Sequence, residues 1–224
     1  MIVGKGLIAS EFIKADNDDV IFFASGVSNS SEICSKQFDR ERALIENTIQ
    51  LNKDKLFVYF STCSIYDSSK YNSPYVLHKL HMEEIIKENS VKYLILRVSN
   101  AVGKGGNPNL LMNYIYKQIK EGNKLNVHLN ATRNLIDVED VKHITLKYIN
   151  ESRYNRIVNV AYKENYFIQE IISIFEKTLN QKANLILEDK GEHYSIDIHE
   201  LDYDFKENSK SNYLAKMIDK YYKN

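Results

Sequence analysis

Two cysteines in 224 residues, Cys34 and Cys63, are too few for a disulfide framework. They read as reduced thiols of a cytoplasmic protein. Net charge is lacking as well, because 30 lysines and arginines balance 30 aspartates and glutamates. No surplus of positive charge is available to follow a phosphate backbone, which argues against nucleic acid as a partner. No apolar run approaches the roughly 20 residues that span a bilayer, and residues 1–10 lack the layout of a signal peptide. Proline is scarce, with only Pro74 and Pro108, so each position is informative. What is present, 43% hydrophobic and 27% charged residues, is ordinary for a globular chain. The length suits one domain, or two lobes on one core.

Along the chain, short apolar runs alternate with amphipathic stretches. "DVIFFAS", "LFVYFS", "VKYLILRVS" and "RIVNVA" are apolar throughout, as strands covered on both faces are. Between them, "LIASEFIKA", "FDRERALIENTIQLNKD", "YVLHKLHMEEIIKEN", "NLLMNYIYKQIKEG", "DVEDVKHITLKYINE" and "FIQEIISIFEKTLNQ" have helical spacing. Polar loops are expected at 67–73, 103–109 and 206–212. The alternation predicts an α/β fold with a parallel sheet and helices on both faces.

"MIVGKGLIA" places Gly4, Lys5 and Gly6 between the first strand and the first helix, with Ala9 three residues after Gly6. This is a G-x-G-x-x-A turn. The first glycine permits a tight bend, the second lets backbone approach a pyrophosphate, and the small third residue lets helix and strand pack closely. The unpaired N–H groups at Leu7 and Ile8 would then face the phosphates. The turn predicts dinucleotide binding.

Residues 61–79, "STCSIYDSSKYNSPYVLHK", connect a strand end to a helix start. In a doubly wound sheet, ligands bind at the carboxyl ends of the strands. Thr62 and Ser64 sit there. Tyr75 and Lys79 are four apart and share a helix face, and Pro74 fits the first helical position. A lysine cation beside a phenol favours the phenolate, and a nearby hydroxyl can hydrogen-bond a substrate oxygen. Together Thr62, Tyr75 and Lys79 make a proton-transfer site suited to alcohol–ketone chemistry. Cys63 is unsuited to be a nucleophile, since the residue after Thr62 points to the opposite face of the strand. His78 and His81 lack a third metal ligand, so no metal is expected.

With these motifs in this order, the sequence resembles the extended short-chain dehydrogenase/reductases, the NAD-dependent epimerase/dehydratase family. "YFSTCSIY" is similar to the segment that carries the catalytic hydroxyl, at Thr62, four residues before Tyr66. "SPYVLHK" is similar to the catalytic helix start. The resemblance makes Tyr75 the acid/base and Lys79 its partner on the nicotinamide ribose. "ASGVS" resembles the segment beside the cofactor, at Ala24, Ser25 and Gly26. "LRVSNAVGKGGNP" is similar to the stretch in which Asn100 would touch a nucleotide-sugar substrate. "RNLIDVEDV" resembles the segment in which Arg133 approaches the substrate phosphates and Asp140 is structural. The similarity covers nearly the whole chain.

The chain also departs from the family. It passes directly from the first helix to "DVIFFASG", so the second and third strands of a full Rossmann sheet are missing. The residue that normally reads the adenosine ribose goes with them. No residue near 38–42 matches the family's helix asparagine. The resemblance implies a shortened Rossmann-like, doubly wound core at 1–99. It also implies a small substrate lobe at 100–224, with about 134–162 returning to the core. It implies an NAD(P) cofactor, with NADP slightly favoured through Lys5, and a nucleotide-sugar substrate in surface-polysaccharide synthesis. The Asp-Glu pair that follows the catalytic Thr in dehydratases is replaced by Cys63-Ser64. Ketoreduction and 4-epimerisation stay open, with reduction favoured because an exchangeable cofactor suits a reduced adenosine site. A non-catalytic dinucleotide-binding or scaffold protein is the reading of another class. A homodimer is left open.

Overall fold

The computed structural model describes residues 1–207 and 209–223. The polar loop expected at 206–212 includes Asn208, which lies outside the described residues. The chain opens with β1 (Ile2–Val3), α1 (Leu7–Glu11), β2 (Val20–Phe23), α2 (Ser35–Leu51), β3 (Leu56–Thr62), α3 (Pro74–Asn89), β4 (Lys92–Val98) and β5 (Asn100–Val102). It continues through α4 (Leu111–Glu121), β6 (Lys124–His128), β7 (Thr132–Arg133), β8 (Leu135–Asp137), α5 (Val138–Asn150) and β9 (Arg156–Val160). It closes with β10 (Tyr166–Phe167), α6 (Ile168–Leu179), β11 (Asn184–Glu188) and α7 (Lys210–Tyr222).

β1, β2, β3, β4 and β9 form one parallel sheet in that order. All seven residues of β3 are buried, as its unbroken apolar run predicts for a strand covered on both faces. Alternate side chains feed two cores. Ile21, Phe23, Phe57, Tyr59 and Ile95 pack against Ile45 and Ile49 of α2 and Met82 and Ile86 of α3. Phe22, Val58, Phe60, Leu94 and Leu96 face the other way, towards Phe12 and towards Ile144 and Tyr148 of α5. That second core runs on into α4, α6 and α7.

β1 is the edge of the sheet, as the missing second and third strands require. The helix expected over residues 7–15 stops at Glu11 and gives way to a 3₁₀ turn, Ile13–Ala15. Phe12 breaks it by turning fully inward, its ring stacked on Phe22 with centroids 4.5 Å apart.

The sequence pattern assigns no element to β6, β11 or α7. β6 and β11 pair in parallel. Besides its apolar packing, the C-terminal segment with α7 meets the start of α5 through polar contacts. The hydroxyls of Tyr203 and Tyr213 each donate to Asp140 at 2.6 Å, and Tyr221 donates to Asp137 at 2.7 Å. Asp140 thus ties α5 to the C-terminal segment. No helix among the described residues is long and apolar enough to cross a membrane.

Candidate active site

The glycine turn, the end of β2 and the start of α3 meet at the carboxyl edge of the sheet. Gly4 has φ 132°, a region that favours glycine. A Cβ there would lie 2.4 Å from the Ala24 carbonyl oxygen. The turn is therefore pressed directly onto the loop after β2, and the first glycine serves close backbone packing as well as the bend. Gly6 is the N-cap of α1, and a Cβ built on it meets no atom within 4 Å. It leaves open space over the first turn of α1, where the N–H groups of Leu7 and Ile8 have no carbonyl within the helix. Loop 103–109 lies against the same turn, since a Cβ on Gly103 would touch Leu7 at 2.6 Å. Lys5 is exposed. Ser25 accepts from Arg40 Nη2 through its backbone oxygen at 3.1 Å.

Thr62 ends β3 opposite Val98 of β4. Its Oγ1 accepts from Ser64 N and donates to Ser64 Oγ, both at 3.0 Å, which caps the 3₁₀ turn Cys63–Tyr66. Ser73 caps α3, its Oγ accepting from Val76 N at 3.3 Å, and Pro74 opens the helix. Tyr75 follows in the first turn, its ring packed with Val27 and Val76. No hydrogen bond joins the Tyr75 hydroxyl to a described residue. Cys63 is buried, with Sγ 2.9 Å from the Arg97 carbonyl oxygen. Burial pushes its thiol up to about 12, so it stays protonated and inert.

Lys79, one turn after Tyr75, is 2% exposed. Its ammonium donates to Glu41 Oε1 at 3.1 Å, to Tyr59 Oη at 2.8 Å and to the Phe60 carbonyl at 3.2 Å. Glu41 is fully buried. It also accepts from Tyr59 Oη at 2.7 Å and from Val27 N at 2.7 Å, and it pairs with His78 Nε2 at 3.1 Å. Burial alone would raise the Glu41 carboxyl, but the Lys79 charge and the hydrogen bonds from His78, Val27 and Tyr59 outweigh it. They hold the carboxyl far below the usual range. Burial and the Glu41 charge push Tyr59 well above the ordinary tyrosine value. His78, stacked on Phe38 with centroids 4.6 Å apart, belongs to this cluster.

On the other side of the sheet edge, Asn100 donates through Nδ2 to the Asn134 carbonyl at 2.7 Å. This draws the loop after β4 to the segment that carries Arg133. Arg133 is half-buried and donates to the Thr132 carbonyl at 2.7 Å. The structure thus groups Gly4, Lys5, Gly6, Leu7, Ile8, Ala24, Ser25 and Gly26 around one turn. Thr62 and Ser64 lie at the next strand end, Tyr75 and Lys79 on α3, and Asn100 beside the Arg133 segment. Glu41, Tyr59 and His78 are the additions that sequence reasoning missed. Glu41 had a readable signal, since it lies four and eight residues before Ile45 and Ile49 on the apolar face of α2.

Residues 9–161 match the NAD dependent epimerase/dehydratase family. The chain belongs to this family. Solved structures agree at the level of the fold. UDP-glucuronic acid 4-epimerase from Bacillus cereus, in complex with UDP-glucuronic acid and NAD, is similar with a TM-score of 0.71 and 20% identity. The match covers 89% of this chain and 76% of that one. dTDP-glucose 4,6-dehydratase from Bacillus anthracis, in complex with NAD, is similar with a TM-score of 0.71 and 16% identity over 93% and 74% of the two chains. RMD from Pseudomonas aeruginosa, complexed with NADPH, gives a TM-score of 0.65 and 16% identity over 79% and 70%. A search of curated protein sequences gives no match.

This member of the epimerase/dehydratase family retains part of what a dinucleotide needs. The open space at Gly6 and the adjoining N–H groups of α1 fit a diphosphate. With β1 at the edge, no strand among the described residues stands outside it to carry a group for the adenosine ribose.

Proposed function

We propose that this protein is a cytoplasmic reductase that uses NAD(P)H to reduce a keto group on a nucleotide-activated sugar for surface-polysaccharide synthesis. The observation that carries the reading is the Tyr75 hydroxyl, which is unengaged by described residues and sits at the carboxyl edge of the sheet in a chain of the epimerase/dehydratase family. A bound NAD(P)H supplies the hydride. Tyr75 gives the proton that the new hydroxyl needs. Thr62 Oγ1 turns from Ser64 to the substrate oxygen, and Ser64 adds a second hydroxyl beside it. Arg133 meets the substrate diphosphate and Asn100 the sugar-nucleotide body. Lys79 contributes its charge one turn from Tyr75.

The buried, protonated Cys63 argues against a dehydratase, because no acid follows Thr62. The edge position of β1 favours reduction over epimerisation. An epimerase keeps its cofactor through a full oxidation–reduction cycle, and that suits many adenosine contacts. The 4-epimerase reading is still supported by the family and by the likeness to the Bacillus cereus enzyme. Saturation of Lys79 by protein groups favours the third reading, a non-catalytic dinucleotide-binding module.

The test is turnover on a panel of 4-keto nucleotide sugars, followed by loss of NADPH or NADH absorbance. The proposal expects stoichiometric cofactor oxidation that depends on Tyr75. Interconversion of sugar epimers without added cofactor would establish the epimerase instead. Absence of both with a folded protein that binds NADH would establish the binding module.

A further inference from the structure

We propose that β11 is a pairing edge for a second copy of this chain, whose own β11 adds antiparallel about a two-fold axis at Ile186. The inference is independent of the catalytic reading. β11 pairs in parallel with β6 along one edge, and no described strand lies along the other. The Glu188 carbonyl accepts from Leu129 N, just beyond β6, at 2.9 Å. Alternate residues of a strand turn their N–H and C=O to opposite edges. Ile186 therefore turns with Glu188 towards β6, while Leu185 and Leu187 turn their N–H and C=O outward. No described residue bonds to these outward groups.

The side chains leave the same edge open. Leu185 and Leu187 register with Leu125 and Val127 of β6 and share their core-facing side. Leu125 and Val127 are buried, whereas Leu185 is 36% and Leu187 53% exposed. Ile186, on the opposite face, is 40% exposed. A charge, a proline or a bulge is what keeps an edge strand from pairing. Leu185, Ile186 and Leu187 supply none of these.

The strand is complementary to itself, which selects a second copy as the occupant. An antiparallel pair centred on Ile186 sets Leu185 opposite Leu187 of the second copy, and Leu187 opposite its Leu185. Residues opposed in a hydrogen-bonded pair exchange both N–H···O bonds. Every outward group of Leu185 and Leu187 in both chains is thereby met. Leucine meets leucine on the core side, so the core of each lobe runs on into the other. Ile186 meets its own copy on the opposite face. Asn184 falls opposite Glu188, an amide donor against a carboxylate, and Lys182 falls diagonal to that carboxylate. A parallel, in-register partner would instead set Glu188 against Glu188. The two-fold contact also closes at two copies.

Sedimentation of the whole chain over a range of concentrations tests this. A five-residue strand makes a small interface, so the dimer should be a weak one, populated as the protein is raised to about 500 μM. Ile186→Lys sets two ammonium groups opposite each other across the axis and should weaken the dimer about tenfold or more. Leu187→Pro removes an outward N–H that β6 does not use, and should weaken the dimer about as much. Should Leu187→Pro fail to fold, Ile186→Lys decides alone, because its side chain stands on the exposed face. Leu77→Glu, at an exposed position of α3, should dimerise as wild type does. A wild-type protein that stays monomeric throughout overturns the proposal. So does a dimer that survives Ile186→Lys unchanged.

Discussion

The Lys79 ammonium lies 3.1 Å from the Glu41 carboxylate, and both residues are cut off from solvent by α2, α3 and the Gly26 loop. This pair ties α3 to α2. The same ammonium also donates to Tyr59 Oη and the Phe60 carbonyl, which steadies α3 under Tyr75.

The pair makes stability depend on acid in a defined direction. The folded Glu41 carboxyl titrates far below the value of about 4.3 for an unfolded glutamate. Its contribution is therefore complete above about pH 5 and is lost as pH falls from there. Glu41→Gln should lower stability at pH 7 by about 3–5 kcal/mol, because it strands a buried cation. Below pH 5 its stability should fall less steeply than wild type, by up to about 1.4 kcal/mol per pH unit. Thermal unfolding from pH 3 to pH 7 checks this. Parallel curves for the two proteins would remove Glu41 as the titrating group.

Tyr75→Phe keeps the ring against Val27 and Val76 and removes only a hydroxyl that no described residue engages. Turnover should fall about 10²-fold or more, with a melting temperature within about 2 °C of wild type. Steady-state kinetics beside a melting curve measure both. Equal turnover would take Tyr75 out of the mechanism.

Cofactor discrimination should be weak, because among the described residues no strand lies beyond β1 to carry a carboxylate for the adenosine ribose. Lys5 in the turn is exposed, whereas Arg40 is already engaged with Ser25. A solvent-exposed pair between Lys5 and a 2′-phosphate is worth at most about 1 kcal/mol. Paired titrations should show an NADPH preference of about tenfold or less, lost in Lys5→Ala with NADH binding little changed. A strong NADH preference, or an NADPH preference untouched in Lys5→Ala, would assign the role to another element.

The two thiols should behave differently. Cys34 is exposed, while Cys63 is buried on the Arg97 carbonyl and pushed up to about 12. A thiol-reactive chromophore at pH 8 should count one fast thiol in the native protein and two after unfolding. Two fast thiols in the native state would place Cys63 elsewhere.

The apolar runs of β2, β3, β4 and β9 were legible because a strand buried on both faces has no polar face to show. The start of α3 was legible from Pro74 and the Tyr75–Lys79 spacing. The loss of the outer strands followed from the distance between the first helix and "DVIFFASG". The short α1 was not legible, since Phe12 continues the helical spacing and only its burial against Phe22 shows the break. Glu41 showed only through its place on the apolar face of α2. An acid on an amphipathic helix is ordinarily solvated, and Tyr59 lies in a run where its hydroxyl looks like one more apolar position. Only the fold brings Glu41, Tyr59 and Lys79 together, and with them the saturation of Lys79.

The most direct test of the account is titration of the wild-type protein with NADH and NADPH by fluorescence. The account predicts saturable binding of both, with dissociation constants within about tenfold of each other. No binding of either by folded protein would contradict it.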